Sequence, residues 1–209
     1  QDFTKFSSDD IIFCDIFAGT SSVGKYFKNK GYNVISNDIE YYSFVNAKHF
    51  IGNNEKITFD KLKKDGIEDV FEYLNKLNDK KGFIFKNYTI SGTQNQEYER
   101  KYFTEENAIK IDSIRDKIEE WKNIGLIEDN EYYYLITCLL EASDKVANTA
   151  SVYEAFLKNI KKSASKTMEI KPLEILTNDK NKKYLVTNKD ANLLINEITG
   201  DILYMDPPY

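Results

Sequence analysis

The sharpest chemical signal in the sequence is the tetrapeptide Asp206-Pro207-Pro208-Tyr209. Two successive prolines fix φ and remove two N–H donors, so the chain forms a rigid elbow whose carbonyl groups are free to accept hydrogen bonds. The Asp206 carboxylate is an acceptor only, and with the Pro207 carbonyl it suits the two hydrogens of an exocyclic amino group. The ring of Tyr209 can stack on a planar base. The tetrapeptide therefore predicts a pocket for an amino-bearing base, against the alternative that Pro-Pro merely ends a strand.

A second candidate site is the small-residue turn from Ala18 to Gly24, which follows a short apolar run at residues 11–17. A strand that ends in such a turn and leads into a helix leaves backbone N–H groups pointing into a ligand crevice. The turn lacks Gly-Lys-Ser/Thr, which excludes a Walker loop, and Ser21 stands at the middle position of the Gly-x-Gly-x-x-Gly pattern. By itself the turn is equally compatible with a ligand site and with ordinary turn chemistry.

Asp38 strengthens the case for a ligand site because it lies at the end of the second predicted strand, about twenty residues after the turn. A carboxylate at this position can accept hydrogen bonds from the vicinal hydroxyls of a ribose. The alternative role is the N-cap of a helix that begins at Tyr41, and the two roles are compatible.

The segments that must position these residues are predicted at both ends of the chain. A strand, a glycine turn, a helix that stops at Gly31 and a second strand form a βαβ unit with parallel strands. The last predicted strand is buried and leads directly to Asp206. The predicted strands are 11–17, 33–37, 183–187 and 201–205. They indicate an α/β sheet to which both ends of the chain contribute.

The middle of the chain, roughly residues 56–170, is predicted to be a mainly helical insert. A helix broken near Gly66 is expected over 57–77, and Thr104 can cap a helix with an apolar stripe. Gly82–Thr93 is predicted to be a strand that runs into a loop. The apolar stripes of the two long helices predict a helical core; they comprise Ile111, Ile114, Ile118 and Trp121, and then Leu135, Ile136, Leu139, Leu140, Ala142, Val146 and Ala147.

The composition restricts the function class. With 209 residues, 41% of them apolar and 30% charged, the chain has room for one or two domains. It contains no run of ~18 apolar residues, which excludes a transmembrane helix by sequence, and no secretory signal pattern. Two distant cysteines and a single histidine, His49, argue against a disulfide scaffold, a metal site and a Ser-His-Asp hydrolase. A cytoplasmic, reducing setting is expected.

Three segments together resemble the signature motifs of the S-adenosylmethionine-dependent adenine N6 DNA methyltransferases: Asp15-Ile-Phe-Ala-Gly-Thr, Asn37-Asp38 and Asp206-Pro-Pro-Tyr. The closest likeness is to the class that has the cofactor motif first and the catalytic motif last, as in bacterial restriction-modification systems. The likeness extends into the insert through residues 82–88 and 145–153. It implies a Rossmann-like methyltransferase sheet with a large, mainly helical insert.

The resemblance also implies roles for individual residues. Asp38 would bind the ribose of S-adenosylmethionine, and Asp190 and Ala191 would contact its adenine. Asp206, Pro207, Pro208 and Tyr209 would hold the target adenine, and no metal is expected. The cofactor-binding set would be Asp15, Phe17, Ala18, Gly19, Thr20, Ser21, Asp38, Asp190 and Ala191.

The sequence departs from the family pattern in two respects. Ser21 stands where a second glycine is common, which would narrow the approach of the cofactor. The motif usually found before the first strand is absent, and the chain stops after the catalytic tetrapeptide, so a catalytic domain trimmed at both ends is expected.

Double-stranded DNA is the expected partner, although the net charge of -5 opposes contact with phosphates. The local balance is different, since residues 158–189 hold nine lysines and three acids. Lys158, Lys161, Lys162 and Lys166 are the predicted phosphate contacts, against the alternative of a solvated lysine-rich surface. Arg100 lies in a polar and aromatic loop, 90–103, that can read bases or be a plain surface loop.

The predicted domains are a discontinuous catalytic domain, 1–55 with 171–209, and a candidate DNA-recognition insert, 56–170. A cognate restriction endonuclease is a further expected partner, and no membrane contact is expected. Cytosine N4 methylation and methylation of protein glutamine use similar amine chemistry, but the leading Asp206 favours adenine. A non-catalytic or degenerate DNA-binding module is the alternative from a different class.

Overall fold

The computed structural model describes residues 11–150, 157, 159–178 and 181–207. The chain divides into two compact units: unit 1 is Gln1–Thr58 with Glu174–Tyr209, and unit 2 is Phe59–Leu173. None of the described helices is long and apolar enough to cross a membrane.

A parallel sheet forms the centre of unit 1, and its strands are β1 (Ile12–Asp15), β2 (Asn33–Asn37), β3 (Tyr184–Thr187) and β4 (Ile202–Tyr204). Their order is β3-β2-β1-β4, and each neighbouring pair is parallel. All residues of β1 and β2 are buried, as expected for central strands of a parallel sheet. The predicted α/β architecture, a Rossmann-like parallel sheet to which both ends of the chain contribute, is confirmed.

Helix α1 (Ser22–Asn29) completes the βαβ unit and packs closely on the sheet. A Cβ at Gly24 would lie 3.8 Å from Cγ1 of Val34 in β2 and 3.1 Å from Cδ1 of Ile51 outside the sheet, so glycine permits this approach. Gly31 follows the helix with φ +83°, a left-handed conformation that favours glycine at a helix end. The other helical elements of unit 1 are α2 (Tyr41–Ala47), a π-helical turn (Lys48–Gly52) and the short α9 (Ala191–Leu194).

Lys28 on α1 is a fully buried lysine that pattern reasoning did not single out. Its ammonium group donates to the carbonyls of Phe50, Ile51 and Asn53 at 3.2, 3.0 and 2.5 Å. Burial lowers the pKa of Lys28 to about 8. Lys28 thereby binds the end of the π-helical turn to α1.

Strand β4 differs from its prediction. The sequence predicts a buried strand, but Ile202 and Leu203 are 38% and 44% exposed. Among the described residues β4 pairs only with β1 and is therefore an edge strand of the sheet. Its apolar side chains have neighbours on one side only, unlike those of the central strands β1 and β2. The prediction of burial was therefore wrong, while the strand itself is confirmed.

Unit 2 is helical, with six described helices: α3 (Asp60–Lys64), α4 (Val70–Asn75), α5 (Phe83–Tyr88), α6 (Ile90–Thr93), α7 (Glu105–Asn123) and α8 (Asp129–Lys145). The expected break near Gly66 separates α3 from α4. Thr104 caps α7 by accepting from the N–H of Asn107, as predicted. Both apolar stripes lie in the core, where Ile114, Ile118 and Leu135 are inaccessible to solvent, except that Leu140 is half-buried.

The prediction of a strand over Gly82–Thr93 was wrong, because this segment forms α5 and α6. The carboxylate of Asp112 on α7 accepts from the N–H groups of Gly82, Ile84 and Phe85 at 2.9, 2.9 and 2.8 Å, and so satisfies the start of α5. This cap comes from about thirty residues further along the chain, so a local pattern of aromatic and β-branched residues cannot reveal it.

Candidate functional site

Three carboxylates follow strands of the sheet at its carboxyl edge. Asp15 ends β1, Asp38 comes directly after β2, and Asp206 is the second residue after β4. The register pairs Asp15 with Ser36 on one side and with Tyr204 on the other. Because the strands are parallel, acids separated by almost the whole chain come to one edge, which is where open α/β sheets bind ligands.

Asp15 is the buried member of this group, at 1% exposure. Burial is the main cause that raises its pKa from 3.8 to about 6; the N–H of Phe17 opposes the shift, and the charges of Asp38 and Asp206 add to it. Oδ1 of Asp15 has no hydrogen-bond partner among the described residues. A buried acceptor without a partner costs free energy, so this oxygen is suited to a ligand donor.

Asp38 fixes the glycine turn against the end of β2. Its Oδ2 accepts from the N–H of Gly19 at 2.7 Å, and its Oδ1 accepts from the N–H of Glu40 at 2.9 Å. The N-cap residue of α2 is Glu40, so Asp38 is not the N-cap itself. An ionised carboxylate has about four acceptor positions, which leaves capacity for a pair of ligand hydroxyls.

The turn itself needs a glycine-like backbone at two positions, Gly19 and Ser21, with φ of +50° and +62°. In serine this conformation costs about 1 kcal/mol that glycine does not incur. The Ser21 side chain is fully buried and its Oγ has no hydrogen-bond partner among the described residues. The hydroxyl of the exposed Thr20 lies 2.8 Å from that of Ser22, and the N–H of Ala18 donates to the carbonyl of Asn37.

Asn37 is a positioning residue whose role the sequence does not reveal beyond its place beside Asp38. Its Nδ2 donates to the carbonyls of Ile16 and Lys189 at 3.1 and 3.0 Å. Its Oδ1 accepts from the Thr187 hydroxyl at 2.7 Å and from the Lys189 N–H at 3.0 Å. Two donors and two lone pairs are thus in use, and they join the ends of β1, β2 and β3.

Asp190 and Ala191 lie at the start of α9, which Asp190 caps with its side chain. Nδ2 of Asn188 donates to the carbonyls of Asp38 and Ile39 at 2.7 and 2.9 Å, so this segment lies beside the end of β2. Ile39 was not predicted as a site residue. Its side chain is 65% exposed next to Asp38 and offers an apolar surface.

The described part of the tetrapeptide is Asp206 and Pro207, both exposed. The Tyr204 hydroxyl donates a hydrogen bond to the Asp206 side chain, and the Asp206 charge raises the pKa of Tyr204. Pro208 and Tyr209 lie outside the described residues, and their predicted roles stay predictions.

The predicted DNA contacts lie in unit 2. The Arg100 guanidinium is 5.8 Å from the centre of the Tyr88 ring and donates to the carbonyl of Asn87 at 3.3 Å. The residues Lys161, Lys162 and Lys166 belong to one irregular segment, described below, and Lys158 lies outside the described residues. Whether these side chains contact DNA stays a prediction.

The comparisons with known proteins agree with this geometry. The family model described as D12 class N6 adenine-specific DNA methyltransferase matches residues 3–209. No solved structure matches the chain.

Curated relatives include the Type II methyltransferase M.NlaIII of Neisseria lactamica, 47% identical over 97% of this chain and 57% of the relative. The Modification methylase StsI of Streptococcus sanguinis is 42% identical over 95% of this chain and 29% of the relative. The Type II methyltransferase M.CviAII of Paramecium bursaria Chlorella virus 1 is 38% identical over 94% of this chain and 55% of the relative. The chain thus spans between 29% and 57% of the length of these relatives. With nearly its whole length matched, the chain belongs to the D12 class of N6 adenine-specific DNA methyltransferases.

Proposed function

We propose that this chain carries the active site of a site-specific DNA methyltransferase that methylates the N6 amino group of adenine with S-adenosylmethionine. The enzyme would be the modification part of a restriction-modification system, with a cognate restriction endonuclease as partner. The observation that carries the proposal is the meeting of Asp15, Asp38 and Asp206 at one sheet edge. The relatives named as type II and modification methylases support the same activity.

The residues at this edge fit S-adenosylmethionine. The unpartnered Oδ1 of Asp15 suits the ammonium group at the methionine end, and the glycine turn lets the backbone approach it. Asp38 has acceptor positions left for the two ribose hydroxyls. Ile39, Asp190 and Ala191 lie near the end of β2 and suit the adenine ring. When bound, the cofactor supplies an electrophilic methyl group on a sulfonium.

Asp206 and Pro207 would act on the target base. The lone pair of adenine N6 is delocalised into the ring, which makes the nitrogen a poor nucleophile. Hydrogen bonds from the amino group to the Asp206 carboxylate and the Pro207 carbonyl favour a more pyramidal nitrogen and stabilise its developing positive charge. Tyr204 donates to Asp206 and so helps to orient the carboxylate.

The target adenine would have to leave the duplex to reach this edge. Enzymes that modify a base extrude it from the stack at a cost of a few kcal/mol. Stacking of the extruded base on Tyr209 would offset part of this cost. Basic residues of unit 2 would hold the phosphate backbone, with Arg100, Lys161, Lys162 and Lys166 as the described candidates.

The proposal is tested by expressing the full-length gene in a host that lacks adenine methylation and then mapping modified bases in plasmid DNA. We expect N6-methyladenine within one short recognition sequence. With the purified full-length enzyme, Asp206→Ala should lower the methylation rate about 100- to 1,000-fold, because stabilisation of developing charge is lost.

Glu197→Ala is the matched control, since Glu197 is an exposed acid of unit 1 that pairs with Lys189. It should retain the wild-type rate. Methylation found at cytosine N4 would contradict the adenine assignment. A wild-type protein that gives no heat of binding with S-adenosylmethionine in calorimetry would favour the inactive DNA-binding module.

A further inference from the structure

Unit 2 contains a basic turn, which we define as residues 159–168. The turn holds three lysines and no acid, and it forms neither helix nor strand. Its centre is compact: the N–H groups of Ala164 and Ser165 donate to the carbonyl of Lys161 at 2.9 and 3.2 Å. Ala164 is inaccessible to solvent, whereas Lys162 and Lys166 are exposed. The turn is thus anchored at its middle and presents its charges outward.

The asparagine Asn107 on α7 holds the second half of the basic turn. Its side chain is 1% exposed. Nδ2 donates to the carbonyls of Ala164 and Lys166 at 3.4 and 2.8 Å, and Oδ1 accepts from the N–H of Met168 at 2.8 Å. The Asn107 side chain therefore supplies the backbone groups of the turn with hydrogen-bond partners that a helix or strand would otherwise supply.

A second buried asparagine, Asn148, holds the first half and joins it to the Arg100 loop. Oδ1 of Asn148 accepts from the N–H of Lys161 at 3.0 Å, and Nδ2 donates to the carbonyls of Asn159 and Lys101 at 3.3 and 2.9 Å. The backbone N–H of Asn148 also donates to the carbonyl of Tyr102 at 2.8 Å. The residue after Arg100 and the basic turn are thus fixed to the same side chain.

The lysines of the turn do not all have the same freedom. The Lys161 ammonium donates to the carbonyl of Thr149 at 3.0 Å, and the Thr167 hydroxyl donates to the Glu106 carboxylate at 3.3 Å. The ammonium groups of Lys162 and Lys166 form no hydrogen bond or ion pair with another described residue. They are the two ammonium groups that the fixed turn leaves available to an anion.

We propose that Asn107 and Asn148 are positioning residues for DNA: they hold the basic turn and the Arg100 loop as one preorganised surface for the phosphates of a duplex. The inference rests on the proposed DNA methylation and adds the residues that make the phosphate contacts effective. A preorganised backbone does not lose its conformational freedom on binding, so more of the phosphate attraction appears as affinity. A loose turn with the same lysines would bind more weakly.

The test is a double-mutant cycle with the full-length protein and a short DNA duplex, followed by fluorescence anisotropy over a range of salt concentrations. In the otherwise wild-type protein, Lys162→Gln should reduce the slope of log affinity against log salt by about 1. Asn107→Ala should by itself weaken binding about tenfold. In the Asn107→Ala background, the effect of Lys162→Gln on the slope should fall to roughly half or less, since the two residues act as one unit.

Asn75→Ala is the matched control. The Asn75 side chain clamps Ile170 in the same way, through its Nδ2 and Oδ1 at 2.8 and 2.9 Å, but it contacts the chain beyond the basic turn. In this background Lys162→Gln should keep its full effect. Thermal unfolding identifies any variant that fails to fold. If Asn107→Ala fails to fold, the same cycle is measured with Asn148→Ala and Lys162→Gln, since Asn148 holds the other half of the basic turn.

Two outcomes separate this inference from the proposed function. If the wild-type protein does not bind the duplex at all, the proposed function fails. If the wild-type protein binds DNA and Lys162→Gln has the same effect in the wild-type, Asn107→Ala and Asn75→Ala backgrounds, the asparagines only support the fold and the inference is overturned.

Discussion

Buried polar side chains serve different ends in unit 1 and unit 2. In unit 1 a group of them keeps a polar atom without a hydrogen-bond partner among the described residues: Asp15, Ser21, Asn33, Ser36 and Ser43. Two members, Asp15 and Ser21, belong to the predicted cofactor site. In the described part of unit 2 no such atom is found.

The buried polar side chains of unit 2 instead hold backbone segments that lack their own ladder of hydrogen bonds. Asp112 holds the start of α5, and Ser113 accepts from the N–H groups of Asp79 and Lys80 at 3.1 and 2.9 Å. Glu131 accepts from the N–H of Phe59 at 2.7 Å. Unit 2 therefore uses its polar groups for its own conformation, whereas unit 1 leaves acceptor capacity at the sheet edge for a ligand.

The difference predicts that removing a buried carboxylate has opposite effects on stability in the two units. The largest effect is expected for Asp112→Ala, which leaves three N–H groups of unit 2 without their acceptor. We expect this substitution to lower the free energy of unfolding by about 3 kcal/mol, measured by chemical denaturation of the full-length protein. Asp116→Ala, one turn further along α7 in an exposed ion pair with Lys80, should cost about 0.5 kcal/mol or less. If the two variants lost equal free energy of unfolding, the buried Asp112 carboxylate would stabilise unit 2 no more than an exposed one does, and this part of the comparison would fail.

In unit 1 the expected change has the opposite sign. The folded state raises the pKa of Asp15 from 3.8 to about 6, so folding opposes ionisation, and the charge destabilises the native state above this range. Asp15→Asn should therefore raise the free energy of unfolding by about 2 kcal/mol near pH 8, and the gain should vanish as the pH falls below about 4, where the wild-type carboxyl is protonated in both states. Denaturation at both pH values measures it. Asp65→Asn, at an exposed position, should change nothing, and a destabilised Asp15→Asn protein at pH 8 would show that Asp15 supports the fold.

The smallest effect concerns the ligand that the unpartnered oxygen of Asp15 would bind. If the ionised carboxylate accepts from the cofactor ammonium, the affinity for S-adenosylmethionine should fall up to tenfold per pH unit below about pH 6, where Asp15 gains its proton. Calorimetry across this range measures the dependence. Asp15→Asn should bind weakly at neutral pH and lose the dependence, while Glu197→Gln should keep it. An unaltered pH dependence in Asp15→Asn would assign the titration to another group.

The sheet and the meeting of the three carboxylates could be predicted from sequence because each depends on local patterns and one topological rule. The run around β1 is short and mostly apolar, β2 is centred on Val34 and Ile35, and the glycine turn and Gly31 mark the ends of the helix between them. Parallel strands then require that Asp15, Asp38 and Asp206 lie at the same edge. The helices α7 and α8 could also be predicted from the sequence, because amphipathic spacing and the cap at Thr104 are local signals.

The features that escaped prediction depend on partners distant in sequence. The helical state of α5 depends on Asp112, and the exposure of β4 depends on which strands flank it. Asn107 and Asn148 act by reaching segments with no pattern of their own, and Asn37 acts by joining the ends of three strands. An asparagine in a sequence gives no sign of which carbonyls it will bind. The backbone at Ser21 is similar, because only the folded turn shows that serine adopts the conformation of a glycine.

The pairing of β1 with β4 has a consequence for how the protein is made. The N–H of Ile12 donates to the Asp201 carboxylate at 2.8 Å across 189 positions of sequence. Closing so long a loop costs entropy that the strand contacts repay only when the second strand has left the ribosome. Unit 2 is one continuous stretch between the two halves of unit 1, so it can complete its fold during synthesis while β1 still lacks β4 and β2 still lacks β3. The edge that bears the three carboxylates is then the last part of the described structure to assemble, and the ligand site proposed there would form only once β4 is in place.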